Sequence, residues 1–232
     1  TWVRVILIAF SALVVLVPLY FTVLNSFKPY REIASNIAAW PQNPTLDNFK
    51  EAWERLDFLN VLKNTAIITI FSALGCVVFS GMTGYWIARN RNRFTKIWNV
   101  LFLSGMCVPF QCIMLPLYMN IYNLGLVSTN LGFILARTGF QVSISVLTIT
   151  GFVKGIPRDL EEAAGIDGCG KFRTFWQIIF PLMTPINVTQ MVLNTLFVWN
   201  DYSTAVVLLR TDESRTLPLA QIIYFGENMT EL

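Results

Sequence analysis

The chain has 232 residues, 54% of them hydrophobic and only 13% charged, with no histidine and a formal net charge of +3. That balance excludes an ordinary soluble domain and places the chain in a bilayer. The missing histidine also excludes His-containing triads, HExxH zinc sites and imidazole proton relays.

Apolar runs of about 20 residues, enough at helical rise to cross a hydrocarbon core, recur along the chain. Residues 5–24 form the first, with Pro18 inside it. It is longer than the apolar core of a secretory signal and no small-residue cleavage site follows, so an uncleaved span is expected. The connection over 28–63 balances Lys28, Arg31, Lys50, Arg55 and Lys63 against Glu32, Asp47, Glu51, Glu54 and Asp57. Residues 64–88 form the second span. Residues 97–122 form the third, interrupted by Pro109 and Pro116, and 126–153 the fourth, which carries Arg137. The fifth, 178–209, is entered through Pro181 and Pro185. Each run is apolar all round, unlike the one-sided stripe of a soluble helix, and none alternates as a barrel strand would. The expected fold class is all-α: a polytopic transmembrane helical bundle, one membrane domain over residues 1–232.

Lys and Arg set the orientation. The 89–96 connection holds Arg89, Arg91, Arg93 and Lys96 without an acid, and the 154–173 connection adds Lys154, Arg158, Lys171 and Arg173. Both are expected on the cytoplasmic side by the positive-inside rule, as is the N-terminus near Arg4. The residues around 120–130 carry no charge. The net positive charge is therefore a topology signal and not a nucleic-acid footprint. Cys76, Cys107, Cys112 and Cys169 have no metal-ligand spacing and read as reduced small hydrophobes. Asn187-Val188-Thr189 matches a glycosylation pattern within a span, a chance match.

The most distinctive segment is the polar connection at 154–177, far longer than the few residues that usually join bundle helices. Pro157 and Asp159 mark a helix start, with acids favoured in its first turn. Glu161, Glu162, Ala163 and Ala164 favour helix, and Asp167-Gly168 ends it in a turn. A second helical run over 171–179 places Phe172, Phe175 or Trp176, and Ile179 on one stripe able to pack back on the bundle. Two short helices hinged at a glycine make a rigid knob outside the bilayer, where small alanines admit another surface. Gly165 to Lys171 also fits GxxxxGK, yet Phe172 stands where Ser or Thr must ligate magnesium and no strand precedes it. No nucleotide hydrolysis is expected of this chain.

Glu162-Ala163-Ala164, then Gly168, Ile178 and Pro181, resemble the cytoplasmic signature loop of ABC-importer permeases. Two further stretches, Asn25-Ser26-Phe27-Lys28 with Glu32-Ile33 and Pro44-Thr45-Leu46-Asp47-Asn48-Phe49, look like the entry loop of the sugar-importing class. Phe197-Val198-Trp199-Asn200-Asp201-Tyr202 and Arg215-Thr216-Leu217-Pro218 resemble its maltose-type second permease. The resemblance implies a carbohydrate-importing permease in a bacterial cell membrane that is not itself an enzyme. Its implied partners are a second permease, an external solute-binding protein, and an ATPase dimer that holds ATP and magnesium, with no cofactor in this chain. It assigns Glu162, Ala163, Ala164, Asp167 and Gly168 to the coupling helix that seats in the ATPase. Six spans are usual there, so a sixth and a basic tail are expected beyond residue 232, while Arg137 and Cys169 depart from the family pattern. Another importer solute, such as a polyamine, phosphate or amino acid, is the alternative, and an ion-coupled secondary transporter a more remote one.

Arg137 and Asp201 lie in apolar spans, where a charge is costly unless paired or hydrated. They either line a polar cavity, with each other as possible partners, or snorkel to the outer surface. Gln111, Asn187, Gln190, Asn194 and Asn200 offer hydrogen bonds at depth, beside Trp199 and Tyr202 as aromatic platforms. Gln111, Arg137, Asn194, Trp199, Asn200 and Asp201 are the candidate pathway residues, although polar groups in spans often serve only to bridge helices. Residues 28–63 and 211–232 are expected outside, where the latter suits contact with a binding protein or re-entry into the sixth span.

Overall fold

The computed structural model describes residues 2–90 and 92–230, so Thr1, Arg91 and the last two residues of the chain lie outside the described residues. Every regular element among them is helical. The chain divides into two compact units, Thr1–Leu59 and Asn60–Leu232.

In the first unit α1 (Trp2–Ser26) runs through Pro18 without a break, and Leu24 is its buried residue. Its apolar sides are open, as suits a helix solvated by lipid. The short helices α2 (Tyr30–Ser35) and α3 (Asp47–Arg55) follow, and the loop between them is clasped by three side chains. Lys28 is fully buried, and its Nζ donates to the carbonyls of Asn36 at 3.3 Å and Ile37 at 3.1 Å. The Glu32 carboxylate accepts from the backbone N–H of Gln42 at 2.6 Å. Asn48 Nδ2 donates to the carbonyls of Ser26 and Lys28 at 3.0 and 2.7 Å. Residues that mark the entry loop in the sequence are thus the ones that close it.

In the second unit α4 (Phe58–Arg89) buries a face of small and hydroxyl-bearing residues, among them Thr65, Thr69, Ser72, Ala73, Ser80 and Gly84. Thr65 Oγ1 donates to Val61 O at 2.6 Å, the self-satisfaction that hydroxyls use on a helix. Small residues let helices approach closely in lipid. At Gly84 the approach is extreme: a Cβ there would stand 2.8 Å from Ile149 Cγ2 on α7 (Asn130–Val153). Apolar cores form at opposite ends of α4, one with Ile68, Phe133, Val198 and Leu208, the other with Ala88, Ile149, Phe175 and Met183.

Two of the expected spans are broken. The run over 97–122 divides into α5 (Arg93–Met106) and α6 (Phe110–Asn123), bent by 107°. Pro109 causes it: the ring removes a backbone donor and holds the residue extended at φ −66°, ψ 144°. Pro116 lies inside α6 without breaking it. The run over 178–209 divides further. After α8 (Asp159–Ile166) and α9 (Lys171–Thr174) come a π-helical turn (Phe175–Ile179), then α10 (Phe180–Leu182), α11 (Thr184–Trp199) and α12 (Tyr202–Leu208). Pro181 has no N–H for a carbonyl four residues back, and the preceding turn widens so that Phe180 N–H reaches Phe175 O. Among the described residues three helices are long and apolar enough to cross a membrane, or up to four if the bent pair is one span. A 3₁₀ turn (Asp212–Ser214) and α13 (Leu217–Thr230) complete the chain. The turn is tied to α4, where Asn64 Nδ2 donates to Glu213 O at 2.8 Å and Leu217 N–H to Thr65 Oγ1 at 2.8 Å.

Lys28→Met keeps the aliphatic stem and leaves the carbonyls of Asn36 and Ile37 without their donor, at about 1–3 kcal/mol per buried group. Limited proteolysis of the variant in membranes is expected to cut within residues 29–45 much faster than in the wild type, with cutting elsewhere unchanged.

Candidate functional site

The knob at 154–177 is built on the last turn of α7. Gly155 N–H and Ile156 N–H close turns onto the carbonyls of Phe152 and Val153 at 3.0 and 3.1 Å. Pro157 then stops the backbone from continuing as α7, and α8 begins at Asp159 with three acids in its first turn. At the other end Gly168 adopts φ +78°, a left-handed conformation that a Cβ disfavours. Cys169 N–H returns to Ala164 O at 2.9 Å, closing the helix end.

One part-buried ion pair fastens α8 to α4. Glu161 Oε1 pairs with Arg89 Nε, and the side chains are only 10% (Arg89) and 19% (Glu161) exposed. Glu161 Oε2 accepts from Tyr85 Oη at 2.9 Å. Arg89 Nη2 also donates to Ile156 O at 3.0 Å, and Arg158 Nη2 reaches back to Arg89 O at 3.3 Å. The carboxylate therefore uses both oxygens, and the guanidinium ties the last turn of α4 to the segment entering α8. Glu161 and Arg89 carry no emphasis in the sequence reading. Their signal was an acid one residue before the Glu162-Ala163-Ala164 triplet and a cation in a connection otherwise read for its charge alone.

The signature residues divide by face. Ala164 is buried, whereas Glu162, Ala163, Asp167 and Gly168 are exposed. Ile166 joins them, 87% exposed despite its size. Ala163, Ile166 and Asp167 fall on one side by helical spacing, so α8 shows outward a small residue, a large apolar one and an acid. The expected inward stripe of the second helix is only partly right. Phe175 and Ile179 are buried, while Phe172 is 71% exposed. Burial centres on Thr174 at the end of α9 and Phe175 at the start of the π-helical turn, and Phe172 falls to one side, its ring 6.1 Å edge-on from Trp176.

The second charged feature lies between α7 and the break separating α11 from α12. Arg137 Nε and Asp201 Oδ2 approach to 3.1 Å with side chains 12% and 7% exposed. Asp201 Oδ1 also caps α12 by accepting from Thr204 N–H at 3.0 Å, and Arg137 Nη2 reaches Phe197 O at 3.4 Å. The two charges pair with each other. The other pathway candidates scatter. Gln111 is exposed at the start of α6, Trp199 is half-buried, and exposed Asn200 donates to Leu196 O at 2.8 Å. Asn194 is buried and bonds back to Gln190 O, while Gln190 Oε1 accepts from Ser145 Oγ at 2.8 Å. Gln190 and its neighbours thus join α11 to α7 inside the bundle, away from Asn200 and Asp201.

Residues 80–230 match the family described as binding-protein-dependent transport system inner membrane component. The chain belongs to that family. It is an ABC-importer permease, and a membrane protein accordingly. Among relatives, it is 38% identical over 92% of this chain and 77% of the other to the probable starch degradation products transport system permease protein AmyC of Thermoanaerobacterium thermosulfurigenes. It is 36% identical, over 93% of this chain and 78% of the other, to the melibiose/raffinose/stachyose import permease protein MelC of Bacillus subtilis. A third, the multiple sugar-binding transport system permease protein MsmG of Streptococcus mutans, is 34% identical over 97% and 82%. The fold matches a chain of a bacterial ABC transporter involved in the import of the acidic polysaccharide alginate, with TM-score 0.81 over 99% of this chain and 80% of that one at 22% identity.

Removing one partner of a fully buried ion pair costs about 3–5 kcal/mol, because the other charge is left uncompensated; at this part-buried pair the cost is smaller. Arg89→Ala and Glu161→Ala are each expected to loosen α8, seen as faster amide hydrogen exchange across residues 156–168. The reversed pair Arg89→Glu with Glu161→Arg is expected to recover much of the protection, which neither single reversal does.

Proposed function

We propose that this chain is the membrane-spanning permease of an ATP-driven carbohydrate importer, and that α8 is the element through which a separate ATPase drives it. The exposed face of a helix held to α4 by a part-buried ion pair is the observation that carries this reading. A tether needs no such bracing, whereas a helix that passes force in both directions does. The named sugar transport of the relatives supports carbohydrate as the cargo. Cations at 89–96 and 154–173, against an uncharged connection near 120–130, support a cytoplasmic α8 and N-terminus.

In this reading an ATPase dimer holds ATP and magnesium and receives α8 in a cleft, with Ala163 and Ile166 at the contact and Gly168 fixing the exit of the chain. A second permease completes the pathway and an external binding protein delivers the sugar in a bacterial cell membrane. Closure of the ATPase pair pushes α8, the Arg89–Glu161 link moves α4 with it, and the bundles rock between outward- and inward-facing states.

Purification from native membranes is expected to bring an ATPase and a second permease with this chain. Ala163→Arg and Ile166→Asp alter only exposed positions, so folding stability should change by less than about 0.5 kcal/mol. Each is expected to lower sugar-stimulated ATP hydrolysis and uptake about tenfold or more, the effect of losing a contact residue of an interface centre. Purification of the chain alone, with uptake driven by an ion gradient, would contradict the reading.

A further inference from the structure

Beside the Arg137–Asp201 pair lies an open cavity of about 560 Å³, within the size range of small-molecule sites. Phe197 and Tyr202 contribute aromatic rings to its lining and Asn200 an amide. Arg137 Nε and Asp201 Oδ2 are sheltered and 3.1 Å apart, yet neither completes a hydrogen bond. Buried polar atoms are rarely left so, and a ligand hydroxyl that accepts from one and donates to the other would satisfy both. The backbone is also broken here, between Trp199 and Tyr202. Non-helical backbone at membrane depth is tolerated where it lines a cavity, and interrupted helices mark the substrate sites of many transporters. Asn200 spends its amide N–H on Leu196 O, which leaves its carbonyl oxygen free to accept.

We propose that this cavity is a binding station for an uncharged saccharide passing through the permease, a proposal that rests on the carbohydrate-import reading above. Sugar hydroxyls donate to Asp201 and to the Asn200 carbonyl and accept from Arg137, while the apolar face of a sugar ring packs on Phe197 or Tyr202. The ion pair selects the class. Arg137 is already neutralised by Asp201, so a uronate has to displace that carboxylate and strand it in a site of low dielectric. A neutral polyhydroxyl ligand inserts without breaking the pair.

The test is direct binding, by equilibrium dialysis, to the whole importer complex in nanodiscs without its binding protein. The probes are neutral malto- and galacto-oligosaccharides and trigalacturonate, and uptake into proteoliposomes is measured alongside. Asp201→Asn keeps the cap on Thr204 N–H, since Asn caps as well as Asp, and frees the Arg137 charge. It is expected to weaken binding of the neutral probe about tenfold and to admit trigalacturonate, which the wild type refuses. Asn200→Ala, at an exposed position, is expected to weaken neutral binding several-fold. If the wild type binds and carries a neutral saccharide and both variants bind it equally well, the station is refuted and the import reading stands. If the wild type binds trigalacturonate as tightly as neutral sugar, selection by the ion pair is refuted. If it neither binds nor carries any saccharide, the carbohydrate reading fails and the station with it.

Discussion

The Arg89–Glu161 ion pair, completed by Tyr85, is the interaction on which the rest of the structure depends. It joins the last turn of a long apolar helix to a short polar one and spends both carboxylate oxygens doing so. A buried charge pair is seldom a large net source of stability, because desolvation offsets most of the attraction. What it supplies is definition: each partner is strongly penalised for moving without the other. An eight-residue helix would be marginal alone in water. Braced at Glu161 and closed by Gly168, it becomes a part with fixed orientation.

A second constraint comes from the bilayer, where each backbone donor and acceptor must be satisfied from within. The bundle obeys it in α4 and α7 and departs from it at three places: the bend before Pro109, the widened turn before Pro181, and the interruption at Asn200–Asp201. At each departure a local device takes over. Pro109 has no donor to lose, Phe180 N–H reaches one residue further back, and Asp201 caps the following helix. The last of these also holds the partner of Arg137, so a break in the backbone and the charge on α7 resolve each other.

Much of this was legible in the sequence, and unevenly. Pro157 and Gly168 bracket α8 because one forbids continuation of the previous helix and the other permits the turn that ends it; both effects are local. The pairing of Arg137 with Asp201 could be anticipated as one of two outcomes, since a charge in an apolar run needs either a partner or water. The prolines of the third and fifth runs mark where the helices depart from a straight span, but not by how much. Hydrophobic content reports that a run is apolar, not that it turns by 107°, and Pro109 and Pro116 look alike in sequence although only Pro109 stands at the break. The bracing role of Glu161 was hidden beside Glu162, because two adjacent acids on a helix differ only in which face they occupy. The same limit misled the reading of Phe172, an aromatic at helical spacing with nothing opposite it to bury it.

That α8 and the end of α4 move as one body is the central claim, and an interspin distance tests it most directly. Labels at Ala163 on α8 and at Phe79 on the exposed side of α4 would be compared in the assembled importer, with and without bound ATP. The account predicts one narrow distance distribution that stays the same in both states and broadens when Arg89 is replaced by alanine. A distance that shifts between the two states in the wild-type chain would show that α8 swings free of α4, and would contradict it.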